Sequence, residues 1–279
     1  MIYEQLGPRA LNYAPCQYGN SKILFRGPKR RLDAPYVAFI GGSETYGKFI
    51  NAPYPALVES DIGVNCINFG VNNAGVDVFV NDGFITDVAS GAQVTVLQIV
   101  GAQNLSNRFY TVHPRRNDRF VDASPLLKSV FPEVDFAEFH FTRHLLGTLR
   151  DVSEQRFRVV VSELQDAWTA RMKLLLRRIQ SKTVLLWIAD QAPLEEGQDL
   201  PNPTLASPPL FVSQKMLTNL TAQTSAIVEV KASEEAISAG NDGMVFDEPE
   251  KRAAHALLGP KAHGEAALAL GRALKPLLN

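Results

Sequence analysis

The chain has 279 residues, within the range of one large α/β sheet. Hydrophobic residues make up 46% and charged residues 20%, the balance of a globular protein with a sizeable core. A formal net charge of −1 excludes a global pull toward nucleic acid or anionic membranes, so any electrostatic specificity must be local. No apolar run nears the roughly 20 residues a spanning helix needs. Met1 to Asn12 has no apolar segment of the secretory kind. The expected location is therefore the cytoplasm, with neither membrane nor nucleic acid as partner. Cys16 and Cys66 are far apart and lack metal-ligand spacing; they could form one disulfide but no framework. Cys66, inside an apolar strand, reads as a buried free thiol.

Residues 1–34 are irregular, rich in Gly, Pro and Tyr, and end in Lys29–Arg30–Arg31. They read as an arm packed on a single α/β domain spanning 35–279. Tyr36 to Ile40 is a short apolar run stopped by Gly41–Gly42, the pattern of a strand buried on both faces. A helical stretch from Ser43 to Asp61 is interrupted by Pro53 and Pro55. Val64 to Phe69 reads as a second strand, Gly75 to Ala89 as a helix and Val94 to Val100 as the third strand. A long irregular insertion covers about 102–135; loops of that length are usually functional or disordered. Helices are expected over Phe136 to Leu149 and Glu154 to Gln180, where Trp168 and Met172 belong to a core-facing stripe. Thr183 to Ala189 is a strand, and Asp190 to Pro209 a Pro-rich loop. A helix from Ser213 to Gln223 precedes the fifth strand, Ala226 to Val230. The last helix runs from Pro260 to Leu277, with proline in its first turn.

Strands alternating with helices imply a parallel sheet covered on both faces. Ligands of such sheets bind beyond the carboxyl ends of the strands. At the first of those ends stands Gly41–Gly42–Ser43–Glu44–Thr45–Tyr46–Gly47. A strand running through Gly-Gly-Ser into a helix puts Ser43 at a helix N-terminus, where unpaired N–H groups favour negative charge. That suits a serine attacking an ester, with its own N–H helping to hold the oxyanion. A lone serine there would be read as a helix N-cap.

Gly42–Ser43–Glu44–Thr45–Tyr46–Gly47 resembles the first block, Gly-Asp-Ser-x-Thr-x-Gly, of the SGNH or GDSL hydrolase superfamily. Asn68–Phe69–Gly70–Val71 followed by Gly75 is similar to the second block, Gly101–Ala102–Gln103–Asn104 to the third, and His263 to the histidine of the fifth. The resemblance implies a flavodoxin-like three-layer sandwich around a five-stranded parallel sheet. It also implies an esterase or O-acyltransferase in which Ser43 is the nucleophile, Gly75 and Asn104 line the oxyanion hole and His263 activates Ser43. No metal or organic cofactor is implied. The second-block glycine could also map to Asn73, and the third block has one residue too many. Gly42 replaces the first-block Asp, and Pro260 falls where the fifth block has its acid. His255 is an alternative base, with Asp242, Asp247 or Glu248 as the carboxylate. Over its whole length the chain is similar to a bacterial domain family without an assigned activity.

Two other readings attach to these segments. Gly42 to Gly47 followed by Lys48 fits the phosphate loop G-x-x-x-x-G-K, although Phe49 replaces the magnesium-binding Ser or Thr. That reading makes the protein a nucleotide- or sulfonucleotide-using transferase. Within the insertion, Arg108, His113, Arg115, Arg116 and Arg119 are interleaved with aromatics. Arginine forks recognise carboxylate or phosphate, so these residues point to an anionic substrate, such as an acylated sugar or metabolite. They equally suit internal ion pairs or a homo-oligomer contact, and a non-catalytic module binding an anion is a third function. His140 and His144 have i, i+4 spacing in an expected helix, read as structural rather than as metal ligands.

Overall fold

The computed structural model describes residues 11–195 and 209–278. Its centre is a five-stranded parallel sheet of β1 (Tyr36–Gly41), β2 (Asn65–Gly70), β3 (Val94–Gln98), β6 (Lys182–Ala189) and β7 (Ala226–Lys231), in the order β2-β1-β3-β6-β7. This is the doubly wound order of flavodoxin-type sheets, with its switch point between β1 and β3. The period of two along each strand divides the core. Val37 and Phe39 of β1, with Val94, Val96, Val184 and Leu186, face one side and pack with α2 (Tyr54–Ile62) and α11 (Pro260–Leu278). Ala38, Ile40, Leu97, Leu185 and Trp187 face the other side. There they meet α3 (Val76–Asn81), α4 (Gly83–Ser90), α6 (Thr142–Val152) and α7 (Glu154–Arg178), whose Trp168 and Met172 are buried as the stripe predicted. The result is a three-layer sandwich.

Several expected helices are divided, each for a local reason. The first breaks well before its prolines: α1 (Ser43–Tyr46) ends at Gly47, whose φ of 71° is the left-handed C-cap conformation. The carbonyls of the following loop are gathered by Arg26, whose guanidinium donates to Tyr46, Gly47, Ile50 and Asn51. The helix expected over 75–89 divides at Asp82, whose carboxylate caps α4 by accepting from the Ile85 N–H.

The insertion is not irregular. It holds an antiparallel hairpin of β4 (Tyr110–His113) and β5 (Arg116–Ala123), then α5 (Pro125–Val130) capped by Ser124. Val112 pairs with Phe120 while the adjacent His113 pairs with Arg116. Residues 117–119 therefore bulge from the ribbon, the device by which strands re-aim side chains. Beyond the sheet, α8 (Gln214–Thr218) is shorter than the expected helix, and α9 (Glu234–Ala239) and α10 (Lys251–Ala254) occupy a stretch that carried no prediction. The Pro-rich loop lies mostly outside the described residues. Among the described residues, no helix is long and apolar enough to cross a membrane.

Both cysteines are free, so the disulfide left open by the sequence does not form. Burial pushes the Cys66 thiol far above its ordinary value. Because only the thiolate is nucleophilic, native protein should resist iodoacetamide at Cys66 and react there promptly in denaturant. Peptide mapping checks this, and rapid native alkylation of Cys66 would contradict the packing around β2.

Candidate functional site

The site lies at the carboxyl ends of β1, β2 and β3. The turn after β1 is shaped by Gln98, the last residue of β3, which is 6% exposed. Its side-chain oxygen accepts from the Gly42 N–H (2.9 Å), the Thr45 N–H (3.1 Å) and the Thr45 hydroxyl (2.6 Å). Thr45 Oγ1 also meets the Tyr54 hydroxyl at 2.6 Å, tying α1 to α2 beneath the sheet end. These bonds correct the phosphate-loop reading. Two of the amides a phosphate would use are already satisfied by a neutral oxygen of the chain itself. Lys48, which would reach the phosphate, lies over the Phe49 ring and 3.9 Å from Glu250.

Ser43, half-buried at the start of α1, meets the loop after β2. Asn73 stands there with φ of 53°, a left-handed conformation that asparagine tolerates better than most residues. Its N–H donates to Ser43 Oγ at 3.0 Å, and its side-chain oxygen lies 3.4 Å from the same atom. The Asn73 carbonyl accepts from Asn104 Nδ2 at 3.1 Å. Asn104 Oδ1 in turn accepts from the Thr142 hydroxyl of α6 at 2.6 Å. Asn73 Nδ2 donates to Asp118 Oδ2 at 3.2 Å. Ser43 and Asn104 are thus brought together, joined through Asn73.

Gly75 is not part of this convergence. Its N–H donates to Asn117 Oδ1, which also accepts from Val78 and so caps α3 from the hairpin. A side chain at 75 would meet the Asn104 carbonyl oxygen at 1.5 Å, so glycine there serves close packing. The backbone amide that reaches Ser43 is that of Asn73, the alternative mapping of the second block.

His263 is fully buried in the first turn of α11. Its Nδ1 accepts the Tyr54 N–H at 3.1 Å, which places the ring proton of the neutral imidazole on Nε2. Nε2 lies 3.3 Å from Glu44 Oε2, an ion-pair distance too poorly aligned for a hydrogen bond. Glu44 Oε1 accepts the Leu258 N–H at 3.3 Å. No hydrogen bond joins His263 to Ser43, and its only unshared nitrogen carries a proton toward a carboxylate. In this geometry His263 pins α11 to α1 and α2, and neither of its ring nitrogens bonds Ser43. The carboxylate beside it is Glu44, not Asp242, Asp247 or Glu248. His255 is exposed at the end of α10, and its ring makes no hydrogen bond among the described residues.

The basic residues of the insertion have separate duties. Arg108 Nε and Nη2 both reach Oε2 of Glu163, a carboxylate only 7% exposed, while the Arg108 N–H donates to Oε1. His113 Nδ1 accepts the N–H groups of Arg115 and Arg116 and closes the hairpin turn. Arg119 lies 4.0 Å over the Phe141 ring. Only Arg115 and Arg116 of this set, both exposed at the hairpin tip, have no side-chain partner among the described residues. His140 and His144 are exposed rather than buried, and His144 packs edge-on against Phe139. Among the described residues no three His, Cys, Asp or Glu side chains converge as metal ligands. A shallow cavity of about 600 Å³ lies in the insertion, lined by Phe120, Phe131, Phe136 and Phe139.

Sequence reasoning missed Gln98, Asn117, Asp118 and Thr142. Gln98 ends an apolar strand and could have been flagged as a polar residue at a strand end. The other three carry no local signal.

A serine at the carboxyl end of β1, tied through a left-handed asparagine to the loop after β3, defines this as a doubly wound α/β protein with a serine-centred candidate site at its switch point. The chain belongs to the family described as domain of unknown function DUF6473, whose family model matches residues 1–278. No curated protein matches the chain. Among solved structures it is similar to a lipase from a goat rumen metagenome, with 13% identity, a TM-score of 0.39, and 87% of this chain and 98% of that one covered. A possible lipase from Chitinophaga pinensis gives 12% identity and a TM-score of 0.42, with the same coverage of 87% and 98%. A gut microbial diltiazem-metabolizing enzyme gives 12% and 0.31, covering 82% of this chain and 42% of that one. At these scores the likenesses carry no functional argument.

Proposed function

We propose that the protein is an SGNH-like serine esterase or O-acyltransferase acting on a small acyl ester or an acylated anionic sugar or metabolite, with Ser43 as nucleophile. The observation that carries this reading is the Asn73 N–H on Ser43 Oγ at 3.0 Å, with the Asn73 carbonyl locked by Asn104. It supplies a preorganised donor beside the nucleophile, next to the acyl carbonyl oxygen on which acyl transfer develops negative charge. Ser43 Oγ attacks the acyl carbon, and the Ser43 and Asn73 N–H groups are the donors offered to the oxyanion. The bond to the leaving oxygen then breaks, and water or a second alcohol takes the acyl group from Ser43. With an activated phenyl ester the leaving phenolate needs no proton and the proton of Ser43 passes to solvent. Arg115 and Arg116 are the side chains offered to an anionic group of the substrate.

An oxyanion site without its general base still accelerates acyl transfer by about 10³–10⁴ over water. Purified protein should therefore take up a fluorophosphonate at Ser43, slowly, and Ser43→Ala should abolish the adduct in mass spectra. Absence of any adduct on Ser43 would remove the esterase reading. The bonding of His263 away from Ser43 favours a second reading, a module of the same fold that binds an anionic ligand without turnover. Under it, sulfated or uronic sugars would raise the melting temperature while Ser43 stays unlabelled.

A further inference from the structure

Ser43, Asn73 and Asn104 sit on the strand ends, but the chain of bonds does not stop there. Asp118, from the bulge of the hairpin, accepts Asn73 Nδ2 at 3.2 Å. An ionised carboxylate only accepts hydrogen bonds, so it dictates which way the Asn73 amide faces. The nitrogen turns to Asp118 and the oxygen is left on the Ser43 side, 3.4 Å from Oγ. The Thr142 hydroxyl closes the circuit. It bonds Asn104 Oδ1 at 2.6 Å and lies 3.4 Å from the backbone oxygen of Asp118 itself. Asn73, Asn104, Thr142 and Asp118 thus form a ring of contacts drawn from the loops after β2 and β3, from α6 and from the insertion, and Ser43 is attached to it through Asn73.

We infer that Asp118 is a positioning residue of the Ser43 centre. By fixing the Asn73 amide it keeps the residue in its left-handed conformation and its N–H on Ser43 Oγ. The inference rests on the acyl-transfer reading for its consequence but not for its geometry. It also gives the insertion a task at the Ser43 centre itself, distinct from the offer of Arg115 and Arg116 to an anionic group. Asp118 does not touch Oγ and takes no proton from it; it acts through Asn73.

The test compares wild type with Asp118→Ala and Asp118→Asn, the latter keeping an acceptor oxygen in the same place. One readout is the rate of Ser43 labelling by a fluorophosphonate. The other needs no activity: the side-chain and backbone amide signals of Asn73 in ¹⁵N-correlated NMR spectra, with hydrogen exchange of its backbone N–H. Loss of one exposed hydrogen bond predicts labelling slowed roughly threefold to tenfold in Asp118→Ala, with partial recovery in Asp118→Asn. The Asn73 side-chain signals should move to free-amide positions and the backbone amide should exchange faster. Unchanged Asn73 signals in Asp118→Ala would overturn the inference, as would labelling at the wild-type rate once wild type is shown to label. If wild type does not label but the Asn73 signals shift as expected, the positioning stands and the acyl-transfer reading fails instead.

Discussion

His263→Ala is expected to cost about 3 kcal/mol of stability and to leave the reactivity of Ser43 within a few-fold of wild type. The imidazole is fully buried, accepts the Tyr54 N–H and packs on the Tyr54 ring at 5.7 Å between centroids. Removing it leaves a cavity between α11 and α2, an orphaned buried amide and a Glu44 carboxylate without its neighbour. Each belongs to the short list of mechanisms that give large losses in point mutants. Urea unfolding measures the first half of the expectation. Labelling of the folded variant by a fluorophosphonate measures the second, with His255→Ala as the companion. If His263 were the base that the resemblance implies, labelling would fall as well, by a hundredfold or more. The two outcomes are far enough apart for one pair of measurements to decide.

Gln98→Leu should be comparably destabilising, by about 3–4 kcal/mol, although the substitution roughly preserves volume. The Gly42 and Thr45 N–H groups converge on the one oxygen it removes. Each buried donor left without an acceptor costs about 1–3 kcal/mol. Thr45 keeps Tyr54 as a hydroxyl partner, so its side chain adds less. The same substitution frees the turn that aims Ser43, and labelling should fall about tenfold, more than global stability explains at low denaturant. Gln98→Glu retains an acceptor and separates loss of the bond from loss of the side chain. A leucine variant with the wild-type unfolding midpoint would show that the amides find another acceptor, and the role assigned to Gln98 would be withdrawn.

The fold was legible because it rests on patterns local in sequence. Five short apolar runs stopped by glycine or polar residues, with helical stretches between them, leave a parallel covered sheet as the economical solution. The carboxyl-end loops follow from that topology, and Ser43 and Asn104 fall in two of them. The errors were also local in kind. Helix ends at Gly47 and Asp82 are set by cap geometry, a left-handed glycine and a capping carboxylate, while the prolines mark where α2 begins. The hairpin of the insertion was hidden because its strands are short and bulged, so the period of two is broken where it would have been read.

The partners of the site residues are a different matter. Only the tertiary structure brings His263 to Tyr54 across 209 positions, Glu44 to Leu258 across 214, and Asp118 to Asn73 across 45. Motif spacing names a histidine near the end of the last strand–helix unit. It cannot say which ring nitrogen is already committed, and that commitment decides whether the residue is a base or a strut. The sequence by itself determined the layers, the strand ends and the serine at the first of them, because burial and turn chemistry act between near neighbours. The bonding of that serine was decided by chain segments whose meeting depends on how layers pack and how a bulged ribbon is aimed, which no local pattern encodes.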